Sequence, residues 1–466
     1  MRRGVWLLAG LVTALEVVFA GGYGYHRDEL YFIASGQHLA WGYVDQGPLV
    51  PALARLLTAI APDSLFVLRL PSALAAGAVV LLTAAIAREL RGEGRAELLA
   101  AAGAGASSLV LFVGHLLNTS TIDLLVWTVA AWLALRAVRT RQNRLWALVG
   151  VVLGVGLLNN PLPVFLGVAL LVGIAVAGPR QLLRSPFPWV GAVIAVLIGL
   201  PWLLWQAGHG WPELAVSRSI AAGGSTSSQP WWLVVPFQFL LASPVLAPML
   251  VVGWWRLFRK PTRFLAVAWV VLAVVFMVTG GKPYYLAGLL PVIIASGAVA
   301  IQDWPAKPVW AVMAAAAAVN LVISLPILPA RWAGPVIALN PDVGETIGWP
   351  ELAATVADVR HRLPADAPVV TLTANYGEAG ALQHYGLTDV YGGENSYADW
   401  GPPPTDGTPV IAVGKSVTQY LRDCVPAARI DNAAGVDNQE QGVPVSICAG
   451  PRQPWPAEWP HVRHIG

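Results

Sequence analysis

The sequence predicts a polytopic α-helical membrane protein of about eleven transmembrane helices, followed by a small C-terminal extracytoplasmic α/β domain. Of its 466 residues, 56% are hydrophobic and only 12% are charged, and the mean hydropathy is +0.60. A soluble domain does not cover so much apolar surface, so the composition indicates a membrane protein. The formal net charge of +3 is too small to indicate a nucleic-acid partner.

Apolar stretches long enough to cross about 30 Å of hydrocarbon recur through the first two-thirds of the chain. The first of them contains Glu16 and the bulky pair Val18-Phe19 before Ala20. These features argue against a cleaved signal peptide, so we interpret the stretch as an uncleaved first helix. The predicted spans are residues 4–22, 65–87, 96–114, 120–138, 145–160, 162–178, 187–206, 231–254, 264–280, 284–301 and 308–327.

Basic residues are concentrated in alternate connections between these spans. Because Lys and Arg accumulate in cytoplasmic loops, the rich connections are predicted to be cytoplasmic and the sparse ones extracytoplasmic. The rich set contains Arg88, Arg91, Arg95, Arg136, Arg139, Arg141, Arg144, Arg180, Arg184, Arg256, Arg259, Lys260, Arg263 and Lys307. The predicted outer segments are residues 23–64, 115–119, 207–230, 281–283 and the tail after Leu328.

The tail changes character and divides the chain into a predicted transmembrane domain, 1–328, and a predicted extracytoplasmic domain, 329–466. It is rich in Pro, Gly, Asp and Asn, and it alternates short apolar runs with helical segments, as a small α/β domain does. It contains no Gly-x-Gly-x-x-Gly turn, so a nucleotide site has no support. Strands are predicted at 369–373, 409–413 and 443–447, and helices near 350–362, 377–385 and 416–424.

Cys424 and Cys448 are the two cysteines of the chain, and both lie in this tail. Outside the cytoplasm they could form one disulfide, whereas inside the cytoplasm they would be free thiols. Both alternatives stay open at the level of sequence, because proximity along the chain does not fix disulfide geometry.

The charged or titratable side chains of the first outer loop include His26, Arg27, Asp28, Glu29 and Asp45. An ionised carboxylate near lipid is costly unless it is paired or faces water, so Asp28 and Glu29 are candidates for function. The alternative interpretation is that both acids cap the start of a short interfacial helix, because acids favour the first helical turn.

Asp123, His209 and Lys282 mark three further polar clusters at the outer ends of predicted spans. Asp123 either supports an active site or rests on a helix dipole. His209 stands between Trp205 and Trp211, which are typical interface anchors, but its ring can bind phosphate or carry a proton. Lys282 is the one basic residue of its outer connection, so it could bind a lipid-linked phosphate. The alternative interpretation is that its side chain only snorkels to the membrane interface.

Several phrases of the sequence resemble the bacterial members of the protein-mannosyltransferase-like superfamily. These are glycosyltransferase family 39-like and aminoarabinose-transferase-like membrane enzymes with the C-type glycosyltransferase (GT-C) fold. The resemblance covers roughly residues 20–300, with a looser match in the tail. The phrases are Asp28-Glu29, Asp45-Gln46-Gly47-Pro48-Leu49, Trp205-Gln206-Ala207-Gly208-His209-Gly210-Trp211-Pro212, Gly280-Gly281-Lys282-Pro283-Tyr284-Tyr285 and, in the tail, residues 391–402.

The resemblance implies an inverting enzyme that moves a sugar, a mannose-like hexose or another, from a polyprenyl-phosphate carrier to a lipid, glycan or protein acceptor. Asp28 would be the general base, Glu29 would orient it or bind sugar hydroxyls, and Asp123 would support the site. Lys282, with Arg27 and His209, would neutralise the leaving phosphate. The other implied substrate-binding residues are His26, Tyr31, Asp45, His115, Asn118, Asn160, Tyr284, Tyr285, Glu394 and Asn395.

Cofactor requirements and activity are less firmly implied. No nucleotide is needed, because the activated donor is already in the membrane, and a divalent metal ion bridging Asp28 and Asp123 stays open because no ligand spacing assigns one. Asn160 stands where relatives commonly have Lys, and an amide can hydrogen-bond a phosphate without neutralising it. The alternative functions are a polyprenyl-phosphate carrier-binding protein, a flippase or a transporter without transferase chemistry. A transporter would place polar sites near the midplane, within repeated halves that this sequence lacks.

Overall fold

The computed structural model is mostly helical, because a chain in an apolar environment must satisfy its backbone hydrogen bonds internally. It describes residues 1–225, 227–259, 261–406 and 408–466; Lys260, one of the predicted cytoplasmic basic residues, lies outside these ranges. The α-helices are α1 (Arg3–Phe19), α2 (Arg27–Gln37), α3 (Leu49–Ile60), α4 (Leu65–Glu89), α5 (Gly94–Gly105), α6 (Ser108–His115), α7 (Thr119–Thr140), α8 (Leu145–Leu157), α9 (Leu162–Ala177), α10 (Phe187–Gly208), α11 (Pro212–Ala221), α12 (Phe237–Ala242), α13 (Ala247–Leu257), α14 (Arg263–Thr279), α15 (Leu290–Ile301), α16 (Ala306–Ser324), α17 (Gly334–Leu339), α18 (Trp349–His361), α19 (Tyr376–His384), α20 (Ser396–Asp399) and α21 (Trp455–Val462).

Strands and 3-10 helices complete the described secondary structure. The strands are β1 (Val370–Thr373), β2 (Val390–Gly392), β3 (Val410–Val413), β4 (Leu421–Arg422), β5 (Val425–Arg429), β6 (Pro444–Cys448) and β7 (Gly450–Pro451). The 3-10 helices are Arg180–Arg184, Trp231–Val234, Pro244–Leu246, Pro283–Leu289, Ala330–Trp332, Pro341–Thr346 and Ser416–Tyr420.

Long apolar helices make this a multi-pass membrane protein. Among the described residues, five helices are long and apolar enough to cross a membrane: α4, α7, α10, α16 and the continuous segment Pro283–Ile301. Two further pairs pass the same test together but are bent, α5 with α6 by 56° and Trp231–Ala242 with Pro244–Leu257 by 96°. Counting each bent pair as one span gives seven.

The chain divides into two compact units. The first, called the membrane unit here, comprises Met1–Ala20, Gln46–Val50 and Phe66–Leu325. Its helices approach closely at glycines, as helices do in membranes. A Cβ atom at Gly150 of α8 would collide with the carbonyl oxygen of Gly191 of α10, and one at Gly173 of α9 would collide with that of Phe264 of α14. Glycine at these positions therefore lets the backbones of neighbouring helices touch.

The second unit, called the sheet unit here, comprises Gly21–Asp45, Pro51–Leu65 and Pro326–Gly466. Its main sheet has the order β2-β1-β3-β6-β5. Strand β1 runs parallel to β2 and β3, whereas β6 runs antiparallel to β3 and β5. Strands β1 and β3 are buried along their whole length, as is usual for the central strands of a parallel pair.

The small C-terminal α/β domain is therefore present, and most of its predicted elements correspond to observed ones. The predicted strands correspond to β1, β3 and β6, and the first two predicted helices correspond to α18 and α19. The helix predicted near 416–424 is wrong: a 3-10 helix, Ser416–Tyr420, is followed by β4. Leu421 and Arg422 pair instead with Pro451 and Gly450 of β7, so tertiary pairing overrides the local helical pattern.

Residues of the first predicted outer loop, 21–45 and 51–65, pack with the C-terminal sheet rather than with the transmembrane helices. The predicted transmembrane domain, residues 1–328, includes this loop. The loop contains no apolar run long enough to span a membrane. Its acidic and aromatic residues can therefore pack against a polar domain.

Cys424 and Cys448 form a disulfide. Cys448 is the last residue of β6, and Cys424 immediately precedes β5, the antiparallel neighbour of β6. Of the two states that the sequence left open, the oxidised one is therefore observed.

Candidate functional site

The first turn of α2 presents the acidic pair in two different ways. His26 is the N-cap residue, and its Nδ1 accepts a hydrogen bond from the backbone N–H of Asp28 at 3.1 Å. The carboxylate of Glu29 accepts the backbone N–H of His26 at 2.9 Å, which completes a reciprocal capping box. Glu29 is 0% exposed, whereas the Asp28 side chain is 35% exposed. Asp28 is thus the acid of the pair that a substrate can reach.

Asp28 is held by a tyrosine from the far end of the chain. The Tyr376 hydroxyl donates to Oδ1 of Asp28 at 2.8 Å, and the guanidinium of Arg27 lies 3.9 Å from the same oxygen. Burial, and next the Asp28 charge, raise the pKa of Tyr376 well above its usual range, so the phenol stays protonated and remains a donor. The result is a half-exposed carboxylate in a fixed orientation, as a general base requires.

Arg27 is bound within the sheet unit. Its Nε donates to the Tyr376 hydroxyl at 3.0 Å, and its Nη1 donates to Glu345 at 3.2 Å and to Gln439 at 2.9 Å. The guanidinium also lies 4.4 Å from the centroid of the Tyr376 ring. These contacts use most of the donors of a buried side chain, so the geometry favours a positioning role over a direct contact with a leaving phosphate.

Glu345, Glu394 and Glu440 lie close enough to Arg27 for its charge to act on them, and Glu378 interacts with Glu440. Burial raises the pKa of each of them, to about 7 for Glu440. The charge of Arg27 acts in the opposite direction on Glu345, Glu394 and Glu440. Burial, and next the Glu440 charge, raise the pKa of Glu378 well above its usual range, against the lowering effect of hydrogen bonds from the backbone N–H groups of Ala374 and Asn375.

A second carboxylate, Asp45, lies in the same unit. Its Oδ1 accepts the Tyr31 hydroxyl at 2.8 Å, and its Oδ2 accepts the Asn395 amide at 3.0 Å. The Tyr31 ring lies 4.7 Å from that of Tyr376, centroid to centroid. Burial raises the pKa of Asp45 to about 6, against the lowering effect of the Tyr31 hydrogen bond. The two tyrosine rings are therefore in contact, and each hydroxyl donates to a different carboxylate, Tyr376 to Asp28 and Tyr31 to Asp45.

Asn395 adopts an unusual backbone conformation beside this second acid. Its φ is 50° and its ψ is −132°, a region that side-chain-bearing residues rarely visit, and the residue is buried. Such strain is maintained only where the surroundings fix the residue, and it is concentrated at functional sites. Its side chain is fixed by Asp45, and its backbone N–H donates to the carbonyl of His464 at 3.0 Å.

In the membrane unit, Asp123 is held by two asparagines from the break between α8 and α9. Asn159 donates to one carboxylate oxygen at 2.9 Å, and Asn160 donates to the other. The Asn160 side chain is also tied to the backbone N–H of Leu162 at 3.0 Å. The residue that stands at the place of the expected lysine is thus a partner of Asp123.

His115 and Asn118 have structural partners of their own. Nε2 of His115 lies 3.2 Å from the Arg69 guanidinium, and its Nδ1 lies 3.7 Å from the buried Glu16 carboxylate. Asn118 is the N-cap of α7 and accepts the backbone N–H of Thr121 at 2.9 Å. The role implied for both residues in substrate binding stays a prediction.

His209, Lys282, Tyr284 and Tyr285 all belong to the membrane unit. His209 stacks on Trp205 at 4.0 Å between centroids and contacts its carbonyl oxygen at 2.8 Å, as an interface residue would. Nζ of Lys282 lies 5.9 Å from the centroid of the Tyr284 ring, and no carboxylate of the described chain lies within ion-pairing distance of it. Lys282 therefore keeps its charge available for an anion.

The structure thus brings eight of the proposed site residues into the sheet unit: His26, Arg27, Asp28, Glu29, Tyr31, Asp45, Glu394 and Asn395. Sequence reasoning missed Tyr376, Glu345, Gln439 and Glu440, which lie more than 300 positions away and carry no local motif. In the part of the chain that the structure describes, no group of three or more His, Cys, Asp or Glu side chains has the arrangement of a metal site. The bridging metal ion stays a hypothesis.

Comparison with solved structures identifies the fold. The fold is similar to that of ArnT from Cupriavidus metallidurans bound to undecaprenyl phosphate, with a TM-score of 0.63 and 16% identity, over 95% of this chain and 97% of that one. It is also similar to the arabinofuranosyltransferase AftD from Mycobacteria, with a TM-score of 0.53 and 14% identity, over 97% of this chain and 40% of that one. The fold is therefore that of the GT-C glycosyltransferases.

Sequence comparison is consistent with this class. Residues 45–205 match the family described as dolichyl-phosphate-mannose-protein mannosyltransferase. The chain is 30% identical, over 272 residues, to the undecaprenyl phosphate-alpha-4-amino-4-deoxy-L-arabinose arabinosyl transferase 1 of Pseudomonas fluorescens (strain Pf0-1), covering 52% of this chain and 46% of the relative. The chain spans about half the length of the curated relatives that it matches. The predicted resemblance is confirmed by these matches, and the fold is that of the GT-C glycosyltransferases.

Proposed function

We propose that this protein is a membrane glycosyltransferase that moves a sugar from a polyprenyl-phosphate carrier to an acceptor at the extracytoplasmic face. The observation that carries the proposal is the half-exposed Asp28 carboxylate, which the Tyr376 hydroxyl fixes at the start of α2. The GT-C fold and the relatives, whose names state an undecaprenyl-phosphate donor, support the substrate class.

In the proposed reaction, Asp28 accepts the proton of an acceptor hydroxyl while the acceptor oxygen attacks the anomeric carbon. The bond from that carbon to the carrier phosphate breaks, its electron pair leaves with the phosphate, and the configuration inverts. Glu29 and Arg27 act as positioning residues, since their side chains are engaged with the helix terminus and with Glu345, Gln439 and Tyr376.

The leaving phosphate needs a cation rather than a general acid, because it departs as an anion. Lys282 is our candidate, since no described carboxylate pairs with it. Asn160 cannot take this role, because it is neutral and donates to Asp123. We propose that Asp123 and its two asparagines shape the membrane unit near the donor rather than transfer a proton.

The sugar and the acceptor form the open part of the proposal. The matching family is named for mannose and the curated relatives for 4-amino-4-deoxy-L-arabinose, so both sugars belong in the first assays. The acceptor classes are lipid, glycan and protein, because a shared fold does not specify a substrate.

We further propose eleven transmembrane spans, with the first loop and the tail outside the cytoplasm. Every predicted span coincides with a helix or a bent helix pair. Seven meet the length criterion, and α1, α8, α9 and α14, of 13 to 17 residues, complete the set. The Lys and Arg distribution supports the orientation, and so does the disulfide of the tail, because disulfides persist in oxidising compartments.

The test is transfer by the purified protein from radiolabelled polyprenyl-phosphate sugars to a membrane extract, comparing wild type, Asp28→Asn and the exposed control Asp366→Asn. We expect Asp28→Asn to lose about 100- to 10,000-fold in transfer, the range that a general base contributes, and to bind the donor as the wild type does. The control should retain full activity.

Donor binding by both proteins with no transfer from any donor would replace the proposal with the carrier-binding or transport alternative. Unreduced transfer by Asp28→Asn would remove Asp28 from the chemical step. Binding is measured separately, by retention of labelled undecaprenyl phosphate on the immobilised protein, so loss of folding is not mistaken for loss of chemistry.

A further inference from the structure

A pocket of about 620 Å³ lies within the membrane unit, between the loop after α4, the helix α13 and the C-terminal end of α15. Its volume is within the range of ligand-binding pockets. The residues that matter for its chemistry are Arg91, Trp255, Arg256, Arg259, Asp303 and Trp304. None of them belongs to the site described above.

The pocket carries unbalanced positive charge. Three arginines line it, Arg91, Arg256 and Arg259, and Asp303 is the one carboxylate among its described lining residues. Within the part of the chain that the structure describes, no ion pair neutralises any of the three arginines. Arg256 and Arg259 lie three residues apart near the end of α13, so their like charges repel.

A helix C-terminus attracts cations, and this alone could explain Arg256 and Arg259. It does not explain Arg91, which reaches the same pocket from the turn after α4. Arg256 is also oriented, because its Nη2 donates to the carbonyl of Leu90 at 3.3 Å. Arginines that converge from separate segments are typical of phosphate recognition.

The other wall of the pocket is apolar and open. Trp255 is 69% exposed, Val251 is 54% exposed and Trp304 is 46% exposed. Arg95 fixes the Trp304 segment by a hydrogen bond to its carbonyl at 2.7 Å. Exposed tryptophans near the ends of membrane helices are typical of the membrane–water interface. A cationic end beside an exposed apolar wall matches a molecule with a phosphate head and hydrocarbon chains.

We propose that this pocket binds the phosphate head group of an anionic glycerophospholipid, whose acyl chains lie along the exposed face of α13. A phospholipid fits better than the polyprenyl carrier, because all three arginines belong to the connections predicted to be cytoplasmic, whereas Lys282 belongs to the opposite set. Basic pockets between transmembrane helices on the cytoplasmic side are suited to anionic lipids. The proposal does not depend on the transferase activity.

The test is native mass spectrometry of the purified full-length protein with added dioleoyl-phosphatidylglycerol or dioleoyl-phosphatidylcholine. The pocket variant is Arg91→Gln with Arg259→Gln, and the control is Arg144→Gln with Arg184→Gln. The control removes the same charge from exposed residues outside the pocket. We expect phosphatidylglycerol to bind the wild type and the control equally and the pocket variant about thirtyfold more weakly, at about fivefold for each basic residue.

Three results would overturn the proposal. Equal retention of phosphatidylglycerol by the pocket variant and the control would remove the arginines from lipid binding, and equal retention of phosphatidylcholine by the wild type would remove the charge preference. Displacement of phosphatidylglycerol by millimolar inorganic phosphate or by equimolar undecaprenyl phosphate would assign the pocket to another phosphate compound. A normal melting temperature of the pocket variant confirms that it is folded.

Discussion

At the scale of single residues, the two aspartates of the candidate site differ in their hydrogen-bond partners. Asp28 accepts from Tyr376, whereas Asp45 accepts from both Tyr31 and Asn395. The sequence predicts the first acid well, because an acidic pair beside a membrane segment is rare. It gives no indication of the tyrosine partners, because Tyr376 approaches only when the tail folds onto α2.

The raised pKa of Asp45 predicts a carboxyl group that titrates near pH 6. Burial disfavours its ionised form, so the folded protein binds the proton more tightly than the unfolded chain does. The contribution of Asp45 to stability is therefore greatest at low pH, and it falls as the pH rises from about 4 through 6. Infrared spectra of wild type minus Asp45→Asn should show a protonated carboxyl band that disappears with a midpoint near pH 6.

Tyr31→Phe supplies the matched comparison for this titration. Its hydroxyl donates to Asp45 and favours the ionised form, so its removal should move the midpoint upward. Tyr391→Phe, in β2, is the control and should leave the midpoint unchanged. A wild-type midpoint near pH 4 would show that Asp45 is well solvated and would contradict the prediction.

At the scale of secondary-structure elements, the sequence allowed two interpretations of the acidic pair, catalysis and helix capping. In the structure each acid fits a different interpretation. Glu29 completes a capping box with His26, whereas the Asp28 carboxylate is partly exposed. The strands β1, β3 and β6 could be predicted because each is a short run that contains Val, Ile or Thr, the residues that favour strands. The predicted helix at 416–424 failed because β4 is defined by its pairing with β7, which no local pattern reports.

The capping box predicts that Glu29 affects stability more than chemistry. Glu29→Ala leaves the backbone N–H of His26 without its acceptor and should cost about 0.5–2 kcal/mol of stability. Glu29→Gln should restore most of it, because glutamine also completes a capping box. The readouts are the melting temperature and the transfer rate per folded molecule.

For Glu29→Ala we expect a lowered melting temperature and a transfer rate that stays within about tenfold of wild type. This is the reverse of the pattern expected for Asp28→Asn, which should lose transfer. A loss of transfer in Glu29→Gln comparable to that of a general base, about 100-fold or more, would instead place Glu29 in the chemical step.

At the scale of the whole molecule, composition was sufficient to predict a membrane protein, and the apolar stretches gave the positions of the helices. The GT-C fold was implied only by the resemblance of separate sequence phrases to a known superfamily. The composition of the unit that carries Asp28 was not predictable. Residues 21–45 and 51–65 join the sheet of the C-terminal tail, because the capped helix α2 and its aromatic residues find partners there, more than 300 positions along the chain. Long-range pairing of this kind leaves no periodicity in the sequence.

The disulfide gives a whole-molecule prediction that also reports the side of the membrane. If the tail lies outside the cytoplasm, Cys424 and Cys448 should be oxidised in cells, and a maleimide added to the denatured protein should label them only after reduction. The bond closes a loop of 24 residues, so its reduction should destabilise the sheet unit by about 3 kcal/mol. Limited proteolysis of the tail with and without a reducing agent measures that effect.

A variant with both cysteines replaced by alanine is the control, and the reducing agent should not change its proteolysis. Two free thiols in protein taken directly from cells would place the tail in a reducing compartment. Because the tail and α2 belong to one compact unit, Asp28 would then lie on the cytoplasmic side. The donor sugar would have to be offered from the inner leaflet, and the proposed orientation would be wrong even if Asp28 were confirmed as the base.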